Sequence, residues 1–359
     1  MKLSIVPLLL LLMLVLSSCE KDAVEKESVN YQLFNTSNSG LPTDFVNVLA
    51  IDNSSNIWIG TFDKGVVKYD GTHWTQYNTS NSPLPNDSVS SISVDNLNRI
   101  WIGTKRGVAM LDQQTWKTYN ASNSGMKGTY VVSLTADNLN RVWVSATSKE
   151  MEKSGLYLFD GINWQFFNDE NSIMPHYFIT TMATDRNNVV WLGLGMFQGK
   201  GGLIKVQEEE WQLYDKSNSP IKYNLVDDIS FSSTNKLILT SPAAMFFSKE
   251  DNLQGYMQTF DGNSSWTDIS PANPKLTLSN RITASAYDKK DNIWIATSID
   301  QSCPACNYTL YKYNGKKWTV LSSENGNFPR TFISDIKVDD SNTVWVAAGD
   351  VGLIKITQK

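Results

Sequence analysis

The stretch Val94–Gly107, V-D-N-L-N-R-I-W-I-G-T-K-R-G, decides the fold because the chain keeps repeating it. Nearly the same words stand at Ile51–Gly65 (I-D-N-S-S-N-I-W-I-G-T-F-D-K-G) and at Ala136–Thr147 (A-D-N-L-N-R-V-W-V-S-A-T). Weaker copies begin at Thr184, Tyr287 and Val338. A degenerate one, F-S-S-T-N-K-L-I-L-T, begins at Phe231 and has Ile238 in place of the tryptophan. The anchors Trp58, Trp101, Trp143, Trp191, Ile238, Trp294 and Trp345 lie 43, 42, 48, 47, 56 and 51 residues apart. A second series, Trp74, Trp116, Trp164, Trp211, Trp266 and Trp318, keeps step with the first. Several short strands in a period of roughly 40 to 50 residues are the signature of β-propeller blades. The expected fold is an all-β, seven-bladed propeller with four-stranded antiparallel blades.

One period reads as four strands. In the second repeat these are Val89–Val94 (A), Arg99–Thr104 (B), Val108–Leu111 (C) and Trp116–Tyr119 (D). Strand A is rich in small residues throughout, as the crowded axis of a propeller requires, and strand B carries the large aromatic that fills the gap between sheets. The recurring acid of the A–B turn (Asp52, Asp95, Asp137, Asp185, Asp288, Asp339) reads as turn chemistry, because Asp and Asn bond their own backbone. A calcium loop would need more oxygens, a Gly and a distal acid. The last repeat stops at a third strand, Gly352–Ile356, while Tyr31–Asn38 resembles a fourth strand and its exit. The N-terminal strand should therefore complete blade seven and close the ring, removing two sheet edges.

The chain has 359 residues, 41% of them hydrophobic, and one repeat architecture over residues 29–359 accounts for its length better than several domains. Its formal charge is −5 with no basic cluster, which leaves no electrostatic footprint for nucleic acid. Residues 1–18 read as a leader, with Lys2 before the apolar run Ile5–Leu16, a run too short to span a bilayer. Residues 20–28, charged and free of aromatics, read as a flexible tether. Cys303 and Cys306 form a C-x-x-C, which can be a local disulfide, a redox pair or half a zinc site. The flanks read as loop rather than helix N-terminus, and only His73 and His176 could complete a zinc site. A disulfide stapling a long loop is therefore the expectation in an oxidising compartment.

Two resemblances add to this reading. Leu16-Ser17-Ser18-Cys19 resembles the lipobox of bacterial lipoproteins, which implies lipidation of Cys19 as the mature N-terminus. It also implies anchoring to the outer membrane of a Gram-negative bacterium, periplasmic or surface-exposed. The pattern S-G-L-P-x-x-x-V…N-I-W-I-G-T…G-V-x-x-Y-D, clearest at Ser39–Asp70 and Ser82–Asp112, resembles the two-component regulator propeller repeat. Members of that family often form periplasmic sensors of hybrid kinases that respond to polysaccharide fragments. The fold is also similar to streptogramin lyase, whose catalysis depends on a histidine at the propeller top.

Antiparallel blades put the D–A and B–C loops on one face and the A–B and C–D turns on the other. The B–C loop grows from Lys105–Gly107 to Ser148–Ser154, Gly195–Gly202, Ser241–Gly255 and Ser298–Asn307, and the D–A link lengthens at Ser270–Asn280. Apart from one extra residue in the C–D turn at Gly262–Ser265, the insertions fall on one face, and in repeat proteins such insertions usually mark the binding face. Residues leading into strand A should rim the channel there: Phe45, Ser88, Tyr130, Tyr177, Phe178, Tyr223, Arg281 and Phe332, joined by Phe197 from a long B–C loop. Aromatic faces with a few polar groups suit a sugar ring, and Asp227, Asp228 and Asp350 supply carboxylates nearby. His176 stands on that face without an identifiable acid, base or metal partner, a weak case for catalysis. The expectation is a monomeric, non-catalytic module without cofactor or metal that recognises a glycan or partner protein through this looped face. Its only membrane contact is through lipid on Cys19. A protein-interaction scaffold and a lyase using His176 are the alternatives.

Overall fold

The computed structural model describes residues 25–26, 29–176, 178–197, 200–241, 256–270, 281–298, 309–322, 328–329 and 331–358. It has seven sheets, each with four antiparallel strands in the order A-B-C-D, and the sheet of blade six carries a short fifth strand besides. In blade two the strands are Val89–Val94, Ile100–Thr104, Gly107–Asp112 and Thr115–Tyr119, within a residue of the sequence reading. Neighbouring A strands touch right round the ring, with Ile333–Val338 of blade seven against Val46–Ile51 of blade one, so the A strands line the channel. The ring closes as the chain ends suggest. Asn30–Phe34 pairs antiparallel with Gly352–Thr357, from Asn30 opposite Thr357 to Phe34 opposite Leu353, as the fourth strand of blade seven. The tether contributes a small piece of sheet: Glu25–Lys26 runs parallel to the outer strand of blade six, Trp318–Ser322.

The repeated aspartate and tryptophan form one unit. Asp95 has no exposed side-chain surface, and its carboxylate accepts bonds from Leu97 N (3.0 Å), Arg99 N (2.9 Å), Arg99 Nε (2.6 Å) and Trp101 Nε1 (2.9 Å). The indole bond recurs from Trp58 to Asp52, Trp143 to Asp137, Trp191 to Asp185, Trp294 to Asp288 and Trp345 to Asp339, at 2.9–3.3 Å. A buried indole N–H needs an acceptor, and this acid supplies it while holding the turn. Blade five has lost both together: Ile238 replaces the tryptophan and Ser232 the aspartate, with Ser232 Oγ still accepting the turn's Lys236 N at 2.9 Å.

The same turns lock blade to blade. Their fourth residue sits at positive φ (Asn98, Asn140, Asn188, Asn235, Asp291 and Asn342, φ 57–67°), a backbone region that short polar side chains tolerate. In most turns its side-chain oxygen accepts a backbone N–H of the preceding blade: Asn53 to Asn98, Asn138 to Asn188, Arg186 to Asn235, Ser233 to Asp291 and Lys289 to Asn342.

Apolar residues fill the seven gaps between blades, each as a separate cluster. Trp101 packs between blades two and three with Val131, Tyr157 and Phe159. Among the described residues the smallest cluster lies between blades five and six around Ile238, where the tryptophan is missing. Gly60 and Gly103 in strand B let the next blade close in. A Cβ at Gly103 would lie 2.6 Å from Val131 Cγ1, and one at Gly60 2.7 Å from Val89 Cγ1.

Most A strands carry a bulge near their looped-face end, as at Val46/Val48, Val89/Ser91, Ile179/Thr181 and Ile333/Asp335. The extra residue turns a polar side chain toward the next blade: Asn47 Nδ2 donates to Val89 O, Ser90 Oγ to Val131 O and Ser334 Oγ to Val46 O. One residue further, the side chain accepts the neighbour's N–H: Ser91 from Leu134, Asp228 from Ser285 and Asp335 from Leu49. The small polar residues of strand A thus form hydrogen-bonded belts as well as saving space.

One expected loop is not a loop. Gly195–Gly202 continues strands B and C of blade four (Val190–Phe197, Lys200–Gln207) as a longer hairpin, with Phe197 opposite Lys200. Glycines at 201 and 202, both at positive φ, let strand C pass close to Asn224 O and Tyr214 O. The insertions at 242–255, 271–280 and 299–307 lie outside the described residues.

Candidate functional site

Strands A and C run from the looped face to the turn face, and B and D run back. The residues before each strand A and after each strand B therefore surround the channel mouth. Four of the expected rim aromatics are exposed there: Phe45 (54%), Tyr130 (42%), Phe178 (38%) and Phe332 (36%). Phe62, which the sequence reading passed over, joins them at 43% exposure. It follows strand B of blade one and donates its N–H to Phe45 O at 3.2 Å, so blade one presents a pair of rings. Ser88 receives Lys105 N in the equivalent place on blade two. The aromatic arc thus spans blades seven, one, three and four.

The backbone makes room for these rings. Gly195 lies within strand B of blade four, where a Cβ would collide with the Phe178 ring; at Gly349, just after strand B of blade seven, a Cβ would lie 3.0 Å from Phe332 Cδ1. Both glycines donate their N–H to the carbonyl of the phenylalanine above them. Asp350 accepts the Thr331 hydroxyl at 2.6 Å and so holds the segment that presents Phe332.

On blade five the half-buried Tyr223 meets Tyr256 edge to face at 6.1 Å, and Lys222 lies over the Tyr256 ring at 4.4 Å. Burial first, and then the charge and hydrogen bond of Asp268, push the Tyr256 phenol up to about 12. It stays a neutral donor at physiological pH. Asp227 donates its N–H to Thr240 O and is partly buried.

Asp228 is not a solvated loop acid on the rim. It begins the inner strand of blade five (Asp228–Phe231), and its Oδ2 accepts both Ser285 N (2.6 Å) and Ser285 Oγ (2.7 Å). Burial raises its pKa; the Ser285 bonds and Lys337 oppose that, and the charge of Asp335 adds to it. Lys337 bonds Asp335 Oδ1 at 2.7 Å and, at 44% side-chain exposure, keeps contact with solvent. Chain periodicity alone could have revealed this role, because Asp228 and Asp335 hold the place of Ser91 in their strands.

His176 reaches the expected face but lies inside it, 4% exposed. Nδ1 accepts Phe178 N at 3.0 Å and Nε2 faces Lys200 O at 3.2 Å, which fixes the tautomer with the proton on Nε2. Burial is the largest influence on the ring and lowers its pKa against the bonds to backbone. A neutral ring with both nitrogens occupied positions the Phe178 segment and the strand B–C hairpin of blade four.

Residues 40–63 and 83–106 match the sequence profile described as "Two component regulator propeller". They cover the inner two strands of blades one and two with their leading segments, and include Phe45 and Phe62. Two stretches, one in blade one and one in blade two, carry the two-component regulator propeller repeat. No curated protein sequence matches it significantly. Among solved structures it is similar to the extracellular domain of the system BT4673 from B. thetaiotaomicron, at 16% identity and a TM-score of 0.67 over 92% of this chain. The chain spans 40% of that protein's length. It is also similar to a catalytically inactive virginiamycin B lyase from Staphylococcus aureus solved with quinupristin (10% identity, TM-score 0.67, 92% of this chain and 100% of that one). A third similar structure is YCF48 bound to D1 peptide (12% identity, TM-score 0.64, 95% and 100%). At these identities the likeness shows the propeller fold alone.

Some expected residues are not placed, or are placed in part. Cys19, Tyr177, Cys303 and Cys306 lie outside the described residues, and Phe197 and Arg281 are placed by backbone alone, in strands B of blade four and A of blade six. Among the described residues no group of three or more His, Cys, Asp or Glu could hold a metal ion, and no helix is long and apolar enough to cross a membrane.

Proposed function

We propose that this protein is an extracytoplasmic binding propeller, anchored through lipid on Cys19, whose looped face recognises a glycan. The observation that carries the reading is the exposed aromatic arc of Phe45, Phe62, Tyr130, Phe178 and Phe332 in a fold that buries every strand-B tryptophan. Exposed rings around a channel mouth lower stability and solubility without a partner, and they suit the flat apolar face of a sugar ring. Backbone carbonyls of the D–A segments and Ser88 border the rings and would accept hydroxyl donors. The similarity to an extracellular domain supports the location, as does the lipobox-like Leu16–Cys19.

A partner protein is the second reading, favoured by the structural neighbour solved with a bound peptide; an extended peptide could lie across the same rings. Catalysis is the least supported. His176 is the candidate base by position, and both of its nitrogens are already bonded to backbone.

Thermal shift against oligosaccharides and extended peptides tests these readings, since a ligand that binds only the folded state raises Tm by mass action. A dose-dependent rise with an oligosaccharide, lost in Tyr130→Ala and Phe178→Ala, supports glycan recognition. A response to peptides alone moves the assignment to a protein partner.

A further inference from the structure

We propose that the turn face of the propeller lies flat against the lipid bilayer, with Leu97, Leu139 and Ile162 inserted, so that the looped face points away from the membrane. The inference rests on the anchoring of Cys19 proposed above and adds an orientation and a second contact to it.

The direction of the tether is the first observation. Strand D of blade six (Trp318–Ser322) starts at its C–D turn and runs toward the looped face. Glu25–Lys26 pairs with it in parallel, Glu25 opposite Thr319 and Lys26 opposite Val320. The chain therefore arrives at Glu25 from the turn side. Five residues separate Cys19 from Glu25, and the six steps between the two span at most about 20 Å at full extension, which holds the turn side close to the anchored surface.

The second observation is independent of the tether. Leu97, Leu139 and Ile162 are 62%, 63% and 85% exposed, and all three are tips of turns on that face. Turn geometry does not ask for them. The slot of Leu97 and Leu139 holds Ser54, Asn187, Thr234, Lys290 and Ser341 in the other blades, and the slot of Ile162 holds Thr72, Gln114, Glu209, Asn263 and Lys316. The apolar tips belong to two adjacent blades, two and three. In a seven-membered ring this pair stands opposite blade six, where the tether attaches. A lipid tether on one side and an apolar wedge on the other hold a disc parallel to a surface. Side chains that reach the acyl boundary add apolar area to the weak binding of a lipid chain.

Hydrogen exchange on the full-length protein tests this, comparing phosphatidylethanolamine/phosphatidylglycerol vesicles with detergent micelles after the mass of the N-terminal peptide has been measured. The expected result is an acylated Cys19 and slower exchange in vesicles at residues 95–99, 137–141 and 160–163, with no change at 43–46, 128–131 and 331–333. The L97S/L139S/I162S variant, altered only at exposed tips, should stay vesicle-bound through its lipid and lose that protection. An acylated protein with unprotected turns, or with protection on the looped face, overturns the orientation. An unmodified Cys19 overturns the anchor and the orientation with it.

Discussion

Asp95→Ala should be among the most damaging single substitutions at a turn of this protein. The carboxylate has no exposed surface and takes bonds from four donors, two from backbone, one from Arg99 and one from the fully buried Trp101 indole. Stranding the indole N–H alone costs about 1–3 kcal/mol, and a hydrogen bond to a charged group is worth about 1.5–3 kcal/mol. Arg99, 19% exposed, recovers part of its loss through water. The total expected is about 3–5 kcal/mol, the range for breaking a buried charged pair. Blade five provides the internal control. Ser232→Ala removes a neutral acceptor from a turn with no indole to satisfy, and should cost about 1 kcal/mol. Urea unfolding followed by circular dichroism measures both. The cycle of Asp95→Ala with Trp101→Phe isolates the indole bond, with a coupling of about 1–3 kcal/mol expected. Equal losses for Asp95→Ala and Ser232→Ala, together with zero coupling, would refute the view that each acid serves its tryptophan.

Three further outcomes follow from the geometry. Phe34, 7% exposed in the closing strand, packs against Tyr69, Trp74 and Trp345. Phe34→Ala should cost about 3–5 kcal/mol, and deleting residues 29–36 should lower Tm further; an unchanged Tm in either would contradict ring closure. Gly195→Ala should push the Phe178 ring off its seat, weakening ligand binding while leaving the core nearly intact by calorimetry, because the ring is already 38% exposed. His176 is held neutral below its ordinary pKa of 6.5. An unfolded histidine takes up its proton first, so the stability from this group is full above about pH 6.5 and is lost as pH falls below it. The loss between pH 7 and 5 should shrink in His176→Asn, and an identical slope in both proteins would remove the histidine from the account.

Much of the fold was legible because the repeat carries its own punctuation. Six copies of an acid and a tryptophan six residues apart, with a degenerate seventh at Ser232 and Ile238, mark the blades, and the orphan third and fourth strands at the two ends predict the closure. The Asp–Trp bond was within reach, since the degenerate fifth copy drops both residues at once, yet spacing alone does not say that a turn acid reaches back to an indole. The site was legible as a face more than as residues. Phe45, Tyr130, Phe178 and Phe332 lie where strand order puts them, whereas Phe62 was missed because the residue after strand B was counted as loop. Asp228 counts among the carboxylates near that face in any single period, and only alignment with Ser91 and Asp335 in the other A strands shows that its slot bonds to the next blade. The Gly195–Gly202 hairpin was hidden because its glycines read as loop residues, although they serve close backbone passage.

The most direct measurement is the affinity of the protein for its best oligosaccharide from the thermal-shift panel, by titration calorimetry on wild type, Phe178→Ala, Phe332→Ala and the turn-face variant Leu139→Ser. Recognition by the aromatic arc predicts a loss of about tenfold or more, ~1.4 kcal/mol, for each rim variant and an unchanged affinity for Leu139→Ser. Rim variants that bind as tightly as wild type would contradict the assignment of the looped face as the recognition surface.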